Sequence, residues 1–182
     1  TLGVYLKTRH NIKAFLSWVP ISDLVAWFHQ SRSRNSKYLN DILACTSEGN
    51  VLNENEARKK SPLFMDIPLK PNGRLELYAG IDDGFTGDVP ISHSILFFNR
   101  VVMHYKNIEF LIGAEDIVNL LTRGVMRHDK HEKIGGREVL YSKESENIAL
   151  KIFDGGHEML PNYTFSRLKK IAEKHDALEG GY

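Results

Sequence analysis

Residues 74–90 read RLELYAGIDDGFTGDVP, and residues 148–160 read IALKIFDGGHEML. In the first stretch, Arg74 to Ala79 alternates apolar and polar residues as a strand does, stops at Gly80, and enters a long loop from Ile81 to Pro90. In the second, Ile148 to Phe153 is an apolar strand that runs into Asp154-Gly155-Gly156-His157-Glu158-Met159-Leu160. Ligands of open α/β sheets bind beyond the carboxyl ends of the strands, so the two loops are where chemistry is expected. One is acidic and rich in glycine. In the other, a Gly-Gly pair delivers a histidine ahead of the last helix.

The flanking sequence supplies the layers for such a sheet. Leu2 to Lys7 reads as the end of a helix, and Ala14 to Val19 as a short buried strand closed by Pro20. Ser22 or Asp23 can cap a helix carrying Leu24, Trp27 and Phe28 at helical spacing, and Tyr38 to Ala44 forms another. The mixed-charge run Glu48 to Lys60 is a solvated helix or loop, broken at Ser61-Pro62. Pro71-Asn72-Gly73 is a turn into the strand at Arg74. Ile95, Phe98, Val102 and Tyr105 then fall on one face of a helix of about three turns. Glu115 to Val125 is a further helix with Ile117, Leu120 and Leu121 inward, and Glu138 to Ser142 and Ile148 to Phe153 are strands across a polar turn. The last helix starts near Pro161 or Asn162 with Phe165, Leu168, Ile171 and Ala172 as its apolar face. No repeat or low-complexity tract interrupts this, so residues 1–182 are expected to form one α/β unit, with 22–60 an inserted, lid-like helical segment.

Composition narrows the function classes. In 182 residues, 42% are hydrophobic and 26% charged, which is enough apolar material for a core and excludes a disordered tail. Lys and Arg number 24 against 23 Asp and Glu, so the clustered excess of cations that phosphate backbones demand is absent and no nucleic-acid partner is expected. The lone Cys45 allows neither an intramolecular disulfide nor a CxxC site. Uncharged stretches such as 14–22 and 89–99 fall short of the about 18 to 20 apolar residues that span a bilayer, so no membrane partner is expected either.

Taken together, Gly80 to Asp83 as G-x-x-D, Val89-Pro90, and Gly155-Gly156-His157 resemble the C-terminal part of an α/β-hydrolase of the prolyl-oligopeptidase and esterase branch. The resemblance runs from the first strand to the last helix. It implies mostly parallel strands flanked by helices, a serine-hydrolase activity on an ester or amide carbonyl, no cofactor, and Asp83 and His157 as two members of a Ser-His-Asp triad. The loop between the acid and Val-Pro is longer than the family's, which leaves Asp82 as a rival to Asp83. The division of labour is chemically sound. Histidine is the side chain whose ordinary pKa lies near neutrality, so it can take a proton from serine and return it to the leaving group. A carboxylate beside it fixes the tautomer and stabilises the imidazolium.

No G-x-S-x-G elbow occurs in the chain, and Ser17, Ser61 and Ser94 lie in other contexts. The resemblance therefore places the nucleophile and the oxyanion-hole amides before Thr1, and this stretch alone is expected to be inactive. It also leaves the strand at Phe15 to Val19 with an apolar open edge. Preceding sequence, another chain or a second copy of this one is expected to cover it. The alternative to an enzyme acting on a small ester or peptide is a non-catalytic binding or scaffolding relative that has lost the serine.

Other candidates carry plainer readings. Asp88 is structural, and His93 and Ser94 open a helix they are expected to cap. The run Arg127-His128-Asp129-Lys130-His131-Glu132-Lys133 spaces two histidines as a metal site could, but alternating charge reads as a solvated loop. Trp27 and Phe28 either line a pocket or pack a core.

Overall fold

The structure is a computed structural model and describes residues 1–47, 49–123 and 132–179. In chain order the elements are α1 (Leu2–Lys7), β1 (Ala14–Trp18), α2 (Leu24–Ser33), α3 (Tyr38–Thr46), α4 (Glu54–Lys60), β2 (Arg74–Gly80), α5 (Ser92–His104), α6 (Ala114–Thr122), β3 (Lys133–Ile134), β4 (Arg137–Glu144), β5 (Ile148–Phe153) and α7 (Pro161–Glu179). The strands form a five-stranded sheet in the order β1-β2-β5-β4-β3, curled into a half-barrel.

The mostly parallel sheet expected of an α/β-hydrolase C-terminal portion is not what forms. β1 and β2 pair in parallel, as do β2 and β5, but β5 with β4 and β4 with β3 are antiparallel, so the sheet is mixed. The cause is the length of the connections. Long helical crossovers separate β1 from β2 and β2 from β5. Only Ser145, Glu146 and Asn147 separate β4 from β5, and a parallel return needs a dozen residues or more. The short polar turn permits a hairpin and nothing else.

Alternation along the strands assigns the two faces. Phe15, Leu75, Leu77, Ala79, Ile148, Leu150 and Ile152 enter one buried core with Leu2 and Tyr5 of α1 and Ile95, Phe98 and Val102 of α5. That is the face of α5 that its sequence spacing predicts. Leu16, Trp18, Tyr78 and Phe153 point to the opposite face, where α7 brings Tyr163. Trp18 stacks on Tyr78 with ring centroids 4.3 Å apart, and Tyr163 meets both rings edge-on.

α7 is rotated from the orientation its apolar spacing predicts. Phe165 and Leu168, expected inside, are 73% and 43% exposed. Tyr163 and Arg167, one turn apart, face the sheet instead. Arg167 Nε donates to Glu76 Oε2 at 2.9 Å, and Glu76 also accepts from Tyr78 Oη at 2.6 Å and from Arg74 Nε at 2.8 Å. Burial alone would raise the Glu76 carboxyl, but the hydrogen bonds from Arg167, Tyr78 and Arg74 outweigh it and hold the group at about 2. The face of α7 that meets the sheet is thus the one that carries partners for the buried Glu76 carboxylate.

Helices α2 and α3 form a second small core together with Val89 from the loop that follows β2. Trp27, Phe28, Ile42 and Val89 pack together with Leu24, Tyr38 and Leu43. Trp27 and Phe28 are thus core residues rather than an open lining. Asp23 caps α2, its Oδ1 accepting from Val25 N at 2.9 Å and Ala26 N at 3.1 Å, which is worth about 1 kcal/mol.

Candidate active site

β2 and β5 lie side by side and parallel, with Gly80 in register with Phe153, so the loops that follow them leave the sheet at the same end. The fit is tight. A Cβ on Gly80 would overlap the carbonyl oxygens of both Gly155 and Gly156, so only glycine lets the strand tips approach this closely. Asp82 N then donates to Gly155 O at 2.9 Å and ties one loop to the other. Neither Gly155 nor Gly156 has left-handed backbone; Gly155 serves by its small size, since a Cβ there would come within 2.6 Å of the Phe153 ring, whereas Gly156 has room for one.

At this junction His157 Nδ1 lies 2.8 Å from Asp83 Oδ2. The Asp83 side chain is fully buried, whereas that of His157 is 36% exposed. The second carboxylate oxygen, Oδ1, accepts from Val89 N at 2.9 Å, so both oxygens are engaged. With the carboxylate on Nδ1, the arrangement assigns the Nδ1–H tautomer and leaves Nε2 with its lone pair outward. Among the described residues, no side chain is hydrogen-bonded to Nε2. Gly87 completes the wall: a Cβ there would collide with Asp83 Oδ1 and come within 2.9 Å of His157 Cβ.

The rival acid is engaged elsewhere. Asp82 is ion-paired with Arg123, whose guanidinium also lies over the Phe85 ring at 4.8 Å. Asp88 is bound by Ser36, whose Oγ donates to Oδ1 at 3.2 Å, and its carbonyl accepts from Trp27 Nε1 at 3.0 Å. Asp88 is therefore a fastening point for the inserted helices.

His93 and Ser94 lie in the first turn of α5 and are buried, but neither caps it; the helix begins after Ile91 without a side-chain cap. His93 is instead a tether to the insertion. Its Nδ1 accepts from the backbone N–H of Ser22 and Asp23, both at 3.3 Å, and Nε2 donates to Gln30 Oε1 at 2.9 Å. Burial lowers its pKa from 6.5 to about 4, with Arg34 adding to the effect and Asp23 opposing it.

Two features had no local sign in the sequence. The Val89 amide that fixes Asp83 is backbone, and a backbone donor has no residue signature. Arg34 reaches the acid loop from far away in the chain. A five-donor side chain just past a helix end was the one available cue.

A cavity of about 670 Å³ lies elsewhere, beside the first half of β2, lined in part by Lys13, Arg74, Glu76, Lys151, Arg167 and Lys170. Ion pairs of Glu76 with Arg74 and Arg167 and of Glu132 with Lys151 take up much of its charge, and neither Asp83 nor His157 borders it. Geometry of the reacting groups, not cavity size, is what selects the candidate site. Among the described residues no group of His, Cys, Asp and Glu could hold a metal ion, and no helix is long and apolar enough to cross a membrane. The histidines at 128 and 131 lie outside the described residues.

The chain thus presents an acid–imidazole pair at the tips of two parallel strands of a mixed sheet. No family model matches it, and no curated protein or solved structure shows significant similarity to it.

Proposed function

We propose that the intact protein is a serine hydrolase that attacks an ester or amide carbonyl, with His157 as the general base, Asp83 as its orienting carboxylate, and a serine hydroxyl supplied from outside this chain. The observation that carries the reading is the 2.8 Å contact between a fully buried carboxylate and a half-exposed imidazole at the tips of adjacent parallel strands. In the first half-reaction, Nε2 takes the serine proton as Oγ bonds to the carbonyl carbon, and the Asp83 carboxylate stabilises the imidazolium. That proton then goes to the leaving alcohol or amine as its bond to the acyl carbon breaks. Water, deprotonated by the same imidazole, then bonds to the acyl carbon, and as the bond from that carbon to Oγ breaks the imidazolium returns its proton to Oγ, releasing the acid and restoring the serine.

The test is labelling of the intact protein by a serine-directed fluorophosphonate. His157→Ala should abolish it with the fold retained. Undiminished labelling of that variant removes His157 from the mechanism. A wild-type protein that never labels and turns over no ester or peptide favours the binding or scaffolding reading. Asp83→Asn should lower turnover by on the order of a thousandfold or more, because the amide favours the wrong tautomer. Asp82→Asn should do little beyond freeing Arg123; the reverse pattern overturns the choice of acid.

A further inference from the structure

We propose that Arg34, the residue that closes α2, is a positioning residue for the Asp83–His157 pair, so that the inserted helices hold the acid loop in its working shape. The proposal rests on the reading of that pair given above, and it adds a role for the insertion beyond covering the sheet.

The contacts run in one line from insertion to dyad. Arg34 Nη1 donates to Gly84 O at 2.7 Å and to Gly87 O at 3.0 Å, and Nη2 donates to Asp88 O at 3.2 Å. Its Nε is anchored on Gln30 O at 3.1 Å, within its own helix. One planar guanidinium therefore holds three carbonyls of a loop that has no regular structure of its own. Gly87, the middle point of that grip, is the residue with no room for a Cβ against Asp83 and His157. If Gly87 moves outward, the wall behind the carboxylate opens. If the loop beyond it slides, Val89 N leaves Asp83 Oδ1 and the carboxylate can turn.

Trp27 Nε1 on Asp88 O and Ser36 Oγ on Asp88 Oδ1 hold only the far end of the loop. They do not reach Gly84 or Gly87. Gly84, Gly87 and Asp88 are half-buried residues of a surface loop, so water can take over at their carbonyls when Arg34 is removed. Loss of Arg34 should therefore loosen the loop without unfolding the chain. Lysine cannot replace it, because a single ammonium does not span three acceptors in a plane.

The deciding readout is the imidazole itself and needs no substrate; turnover of a p-nitrophenyl ester is the secondary one. In the intact protein at alkaline pH, long-range proton–nitrogen NMR of His157 reports which ring nitrogen carries the proton. The wild type should show the Nδ1–H form, and Asp83→Asn should lose it. Arg34→Met should shift His157 to a mixture with the Nε2–H form, with melting behaviour largely retained and turnover down by about a hundredfold, as misplacement on the ångström scale produces. Arg34→Lys should fall between the two. A wild-type tautomer in Arg34→Met overturns the proposal even if turnover drops. Should Arg34→Met fail to fold, a wild-type tautomer in Arg34→Lys overturns it as well. Failure of the hydrolase reading shows separately, as labelling that survives His157→Ala.

Discussion

Acidification should destabilise this protein through His93 before the Glu76 carboxyl titrates. The ring is 2% exposed, and its Nδ1 accepts from two backbone amides, so protonation would cost both hydrogen bonds as well as bury a charge. Folded His93 titrates near 4, against 6.5 in the unfolded chain. Between those values the unfolded state holds the extra proton, so stability falls as pH falls, and the full contribution is present above 6.5. The gap is worth about 3 kcal/mol at its limit, and about 2.5 kcal/mol of that is lost between pH 7 and about pH 4.5. Urea unfolding of wild type and His93→Gln, followed by tryptophan fluorescence at both pH values, isolates this contribution. The variant is less stable at neutral pH because it loses the tether to Ser22 and Gln30. Its deficit relative to wild type should shrink by about 2.5 kcal/mol on acidification. A deficit that stays constant would mean folded His93 takes up a proton as readily as the unfolded chain does, and the argument from its amide partners would fail.

Other perturbations separate the remaining parts of the structure. The Glu76 carboxyl sits at about 2 against an ordinary 4.5, so its contribution of about 3 kcal/mol is complete above 4.5 and disappears as pH falls towards 2. Glu76→Gln should remove that acid window and destabilise the neutral protein by about 3 kcal/mol, checked by denaturant titration, because Arg167 is left without its carboxylate and Arg74 keeps only Glu144. Gly80→Ala should cost at least about 2 kcal/mol or prevent folding, since the new methyl group meets the carbonyl oxygens of Gly155 and Gly156; a normal melting temperature would show that the strand tips are not as close as described.

Local physics was legible in the sequence wherever one residue and its near neighbours decide the outcome. The Asp23 cap, the α5 face through Ile95, Phe98 and Val102, and the placement of Asp83 and His157 in loops at strand ends are of this kind. Features set by distant partners were not. Phe165 and Leu168 have the spacing of a core-facing stripe, yet the helix turns Arg167 inward because Glu76, far away in the chain, leaves a buried carboxylate to be neutralised. His93 stands where a capping residue would, but Ser22, Asp23 and Gln30 claim it from the insertion. The antiparallel hairpin was a different failure. The strand bounds Glu138 to Ser142 and Ile148 to Phe153 leave five residues between the two strands, too few for a parallel return, which the mostly parallel sheet implied by the resemblance would need.

That correction leaves the site standing, because the pair needs only β2 and β5 adjacent and parallel, while β4 and β3 attach on the far side of β5. The stronger argument for chemistry is the charge itself. Among the described residues, Asp83 has no ion pair with a lysine or arginine; its oxygens meet one backbone N–H and one imidazole. A fully buried carboxylate held by so little is an expensive way to build a turn, since asparagine would accept the Val89 amide without the cost of burying a charge. The cost makes sense if the neighbouring ring becomes positive for part of a reaction cycle, because only then does the buried negative charge gain its full partner. A half-buried Asp82 paired with Arg123 carries no such implication. On electrostatic grounds as well as distance, the proposed triad takes Asp83 rather than Asp82 as its acid.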